Sequence, residues 1–110
     1  MNSQLPTNIR TLLKKLKNEL IQIYGERLDH IILYGSRARG DARDDSDIDI
    51  LIVLIDDFNY SEMLRLSSHL TASLSLEHDV VISRAFVSKK EFKNRQTPFL
   101  MNVRREGMQV

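Results

Sequence analysis

The sequence predicts a single α/β (α+β) domain, residues 1–110, built as a small β-sheet flanked by helices. Two short apolar runs rich in β-branched residues, 31–34 and 50–55, bracket a charged turn, and such runs read as strands buried on both faces. Apolar residues recurring at three- and four-residue steps before and after them mark amphipathic helices. A third β-branched run, 77–83, supplies another strand. A chain of 110 residues holds one core of this kind and leaves no length for a second lobe around a second substrate.

In chain order, Ile9, Leu12, Leu13, Leu16, Leu20 and Ile23 trace one helical face over 7–24, with Thr7 as N-cap and Gly25 as stop. The opposite face carries Arg10, Lys14, Lys15 and Lys17, which read as a solvated surface. Beyond the second strand, Asn59 and Glu62 form a capping box, and Met63, Leu66, Leu70 and Leu74 give a helix over 60–74 that packs on the sheet. Residues 85–87 add a short strand. Ser88 with Glu91 opens a short helix, and Thr97-Pro98 starts the last one, which carries Phe99, Leu100 and Val103 and stops near Gly107.

Composition is that of an ordinary globular protein with a formal net charge of +1, so no direct nucleic-acid contact is expected from bulk charge. Cysteine is absent, which rules out disulfides and thiolate zinc sites and suits a reducing cytoplasm. Residues 1–6 lack a leader pattern and the longest apolar run is too short to span a bilayer. A cytoplasmic protein with no membrane contact is the expectation.

The chemistry concentrates between Gly35 and Asp49. Successive side chains of a strand alternate faces, so Asp47 and Asp49 project from the same face, about 6.6 Å apart along the chain. Two like charges at the head of an apolar strand relax by protonating or by binding a cation, and magnesium, which takes oxygen ligands and keeps waters that a phosphate can replace, fits. Gly35-Ser36 ends the preceding strand, where a residue without a side chain allows close approach and free N–H groups can bind phosphate oxygens.

Other motifs fail on their own terms. A P-loop needs Lys and Ser or Thr after its second glycine, but Asp41 and Ala42 follow Gly40. Asp45, Asp47, Asp49 and Asp56 mimic EF-hand ligands, but Ile50 stands where that loop requires glycine. His30, His69 and His78 lack zinc-helix spacing, and no serine elbow or Cys–His pair offers a nucleophile. Tyr34 could stack on a base, though core packing is its ordinary use. Asp79 opens the third apolar run as Asp47 opens the second. If those strands are neighbours it can join the pair as a third carboxylate, with Glu77, of the same parity, as the alternative and a plain surface aspartate as the bland reading.

Gly35-Ser36, ten intervening residues and Asp47-Ile48-Asp49 resemble the signature of the DNA polymerase β-like nucleotidyltransferases. The fuller string, Gly-Ser-Arg-Ala-Arg-Gly followed by Ser-Asp-Ile-Asp, is similar to that of the minimal nucleotidyltransferases, antitoxins often paired with a HEPN-domain toxin. The match is strong over residues 31–55. It implies a polymerase β-like core with a small mixed sheet. It further implies transfer of a nucleotide from ATP or another nucleoside triphosphate to a hydroxyl, with release of pyrophosphate. On this resemblance Gly35 and Ser36 hold the triphosphate, helped by Arg37 and Arg39. Asp47 and Asp49 bridge two Mg2+ ions, and Asp79, as the third acid on a later strand, ligates the catalytic ion.

The implied partner is a cognate HEPN ribonuclease toxin in a hetero-oligomer, with a tyrosine as AMP acceptor. Two other readings stay open: a non-catalytic antitoxin that holds a nucleotide and blocks its partner, and a small-molecule nucleotidyltransferase of the aminoglycoside-modifying type.

Overall fold

A computed structural model describes residues 5–110; the leader-free reading of residues 1–4 lies outside them. The chain runs α1 (Thr7–Tyr24), β1 (Leu28–Tyr34), α2 (Ser36–Arg39), β2 (Ile48–Leu54), α3 (Tyr60–His78), β3 (Ile82–Ser88), α4 (Lys89–Asn94), α5 (Pro98–Glu106) and β4 (Met108–Gln109). The sheet order is β3-β2-β1-β4. β1 pairs antiparallel with β2 and β4, and β2 pairs parallel with β3. The mixed sheet follows from the connections. A short turn can return an antiparallel strand, whereas the parallel pair needs the crossover that α3 supplies.

Every residue of β2 is buried except Asp49, as the unbroken apolar run demands of a central strand covered twice. On one face Ile48, Ile50, Ile52 and Leu54 meet Ile31 and Leu33 of β1, Leu12, Leu16 and Leu20 of α1, and Met63 and Leu74 of α3. On the other, Leu51 and Val53 pack with Ile32, Val87 and the α5 residues Leu100 and Val103. Tyr24 ties α1 to α3: its hydroxyl donates to the Met63 carbonyl at 2.7 Å and lies 2.8 Å from Ser67 Oγ. No helix among the described residues is long and apolar enough to cross a membrane.

Three of the expected caps form: Asn59, Ser88 and Thr97 each accept from the backbone N–H three residues on. Thr7 does not. It lies inside α1, whose N-cap is Pro6, and its Oγ1 accepts from Arg10 at 3.1 Å.

The larger correction concerns the third strand. Glu77 and His78 are helical, α3 running four residues past Leu74, and β3 begins only at Ile82 and takes in 85–87 without a break. Leu76 and Glu77 are good helix formers, and Lys15 of α1 holds Glu77 at 2.9 Å. The helix ends at Asp79 in the left-handed conformation (φ +51°), its N–H bonded to the Ser75 carbonyl. Aspartate tolerates that geometry better than most residues.

Candidate active site

The site stands on β2 because β2 is the one strand paired on both sides near its start. Tyr34 of β1 lies opposite Asp49, and Ser83 of β3 is its partner on the other flank. The Asp49 carboxylate is half-buried and rests directly on Gly35. A Cβ built on Gly35 would overlap Asp49 Oδ2 and touch its Cγ at 3.4 Å. Gly35 also has φ +75°, so both its backbone and its neighbour require the missing side chain. Asp47 is exposed just before the strand. Burial first, and then the Asp47 charge, push the Asp49 carboxyl above the ordinary range, while Arg39 pulls it back. Burial and the nearby Asp49 likewise raise Tyr34, which meets Phe99 of α5 edge-on with centroids 5.3 Å apart. The sequence reading favoured this packing role over base stacking.

Two arginines follow Ser36 and do different things. Arg39 is exposed, with Nε 3.3 Å from Asp41 and Nη1 3.5 Å from Glu106 of α5. It borders a cavity of about 240 Å³ with Tyr34, Gly35, Phe99 and Asn102, beside the turn expected to hold phosphates. Arg37 is buried, and its Nη2 donates to the carbonyls of Asp44 at 3.3 Å and Ser46 at 3.0 Å. Its guanidinium therefore faces inward, holding the loop that delivers Asp47, and does not project toward a ligand at Gly35-Ser36. The same loop is closed by Ser46 Oγ accepting from Arg43 N–H at 2.8 Å.

The structure brings Asp47, Asp49, Gly35, Ser36 and Arg39 together and seats Asp79 elsewhere. Asp79 lies at the turn between α3 and β3 and lines a small cavity with Arg37, Asp44 and His78. Among the described residues no group of three acids or histidines is arranged to hold a metal ion. The physical reason is the longer α3. Because strand geometry begins at Ile82, the parity that placed Asp79 or Glu77 beside the pair does not apply, and the β3 position next to Asp49 is Ser83. Sequence reasoning missed Ser83, which correct strand limits would have found, and Glu106, for which the sequence carries no signal.

The polymerase beta nucleotidyltransferase family model matches residues 10–100. The chain belongs to that family. This nucleotidyltransferase is 40% identical over 102 residues to a Methanocaldococcus jannaschii protein provisionally named a protein adenylyltransferase, covering 91% of this chain and 95% of that one. It is 34% identical over 80 residues to the protein adenylyltransferase MntA of Thermococcus cleftensis, covering 73% and 79%. Among solved structures it resembles a mutant form of the toxin-antitoxin MntA-HpeT, with a TM-score of 0.61 at 22% identity over 88% of this chain and 70% of that one. That likeness bears on the fold alone.

The donor set suits magnesium. Carboxylate oxygens such as those of Asp47 and Asp49 are donors that this ion takes at nucleotide sites.

Proposed function

We propose that this nucleotidyltransferase is an antitoxin that transfers AMP from ATP to a tyrosine hydroxyl of a cognate HEPN-domain toxin and so neutralises it. The observation that carries the reading is the Asp49 carboxylate, two residues from Asp47, pressed onto Gly35 at the head of a strand otherwise buried throughout, in a chain whose relatives are named protein adenylyltransferases.

Gly35 and Ser36 receive the triphosphate at the turn, and Arg39, once released from Glu106, neutralises its β- and γ-oxygens. Asp47 and Asp49 would hold Mg2+, which when bound would supply charge stabilisation to the oxygens of an in-line displacement. The acceptor oxygen forms a bond to the α-phosphorus as the bond to the β-phosphate oxygen breaks, and pyrophosphate leaves with that electron pair. The hydroxyl proton passes to a carboxylate oxygen at the strand head. Arg37 keeps the 41–46 loop in place so that Asp47 stays beside Asp49. Asp79 takes no part in this scheme. The acceptor arrives on another protein.

Intact-mass analysis of the toxin co-expressed with the chain tests the reading. An added AMP is expected, and its loss in Asp47→Asn/Asp49→Asn together with loss of neutralisation. Neutralisation that survives the double substitution refutes transfer and leaves steric blocking. AMP transfer to an aminoglycoside in the absence of any protein partner would point to the small-molecule reading instead.

A further inference from the structure

The most exposed large apolar side chains lie together beside the reacting pair. Leu76, at the end of α3, is 86% exposed, and Val81, just before β3, is 59% exposed. Between them the chain reverses at Asp79 with φ +51°, which turns both outward around one open cavity of about 330 Å³, bordered also by Asp45, Ser75 and Val80. The Val81 carbonyl accepts from Ile48 N–H at 2.8 Å, so this rim adjoins Asp47. A contiguous exposed apolar patch rimmed by polar residues marks an interaction site.

The occupant follows from topology and charge. Resting on the reading above, the triphosphate lies toward β1, where Gly35, Ser36 and Arg39 stand. In-line displacement sets the attacking oxygen opposite the leaving pyrophosphate, and in the order β3-β2-β1 the opposite side is that of β3. The rim there is acidic. Asp45 and Asp79 border it, with Asp44 and Asp47 close to Asp45 along the loop, while Arg37 is buried and bonded to carbonyls and only Arg43 on the loop is an exposed cation. A free nucleotide is repelled from such a rim, whereas a basic protein segment is drawn to it.

We infer that the Leu76–Val81 edge is the docking surface for the acceptor protein, which seats an apolar side chain between Leu76 and Val81 and sets basic residues against Asp45 and Asp79 while its hydroxyl reaches the pair.

The test uses the full chain and the cognate toxin with its acceptor tyrosine changed to phenylalanine, so that binding is measured without chemistry. Leu76→Lys/Val81→Lys is expected to weaken the complex at least tenfold, with ATP affinity and the melting midpoint unchanged. Asp45→Lys is expected to weaken it several-fold and to flatten its salt dependence. With unmodified toxin, the same variants raise the KM for toxin and leave kcat within about twofold. Complex affinity unchanged in all variants overturns the docking surface, as does a wild-type chain that fails to bind the toxin. A wild-type chain that binds but transfers no AMP refutes the adenylyltransferase reading alone, and the binding comparison still decides the surface.

Discussion

Replacing Gly35 by alanine strikes the contact on which the site is built. Two consequences can be separated. The backbone at φ +75° costs a residue with a Cβ roughly 1–2 kcal/mol. The new methyl also enters the space of Asp49 Oδ2, so the carboxylate must swing aside by about 1 Å, a misplacement that costs on the order of 10²-fold in rate at reacting groups. Gly25→Ala is the control. Gly25 also has positive φ (+55°), but a Cβ there meets nothing within 4 Å. Both variants are expected to lose similar stability in urea melts, about 1–2 kcal/mol. Only Gly35→Ala is expected to lose AMP transfer, by about a hundredfold, measured as single-turnover incorporation of labelled α-phosphate into the toxin. Equal rates in the two variants would refute the claim that Gly35 is glycine for the sake of Asp49.

Arg37→Ala strips the donor from the Asp44 and Ser46 carbonyls and is expected to cost on the order of 1–3 kcal/mol and to slow transfer; Arg37→Lys, with a point charge in place of a fork, should restore less than half of either. Asp49→Asn should abolish transfer yet stabilise the ligand-free protein. Its carboxyl is raised by burial and by Asp47, so the wild type has that group's full stability only below the ordinary carboxyl range and loses it as pH rises through the raised value. Melting midpoints of wild type and variant should therefore converge in acid and separate toward neutral pH. Glu106→Gln removes one of the two carboxylates that hold Arg39 and is expected to lower the KM for ATP with little change in melting point.

Particular elements show what the sequence could and could not reveal. The pair at Asp47 and Asp49, the turn at Gly35 and the doubly buried strand after it were all legible, because period-two alternation and local spacing are carried by adjacent residues. The boundary between α3 and β3 was not. Leu76-Glu77-His78 is compatible with helix or strand, and the tertiary contacts of the helix, among them the Glu77 ion pair with Lys15 sixty-two residues away, are not visible in local sequence. That one misplaced boundary moved Asp79 from the expected carboxylate cluster to a helix end. β4 escaped notice because two residues carry no period, and they pair only because α5 brings them back beside Ile32 and Leu33. Arg37 and Arg39 look alike in sequence; burial alone separates the loop clamp from the candidate phosphate ligand.

The strand head has a simpler and more stable alternative, which argues about function. An apolar residue at position 49 would continue the burial of β2 and relieve the repulsion from Asp47. A surface whose only task is to cover a partner gains nothing from a desolvated carboxylate, since blocking depends on exposed groups at the rim. Cation binding does gain, because it requires the two charges to be held together before the ions arrive. If an Asp49→Leu chain, relieved of the charge conflict, still neutralises the toxin as well as wild type, the acidic pair has no catalytic purpose, and the acidic strand head requires another explanation.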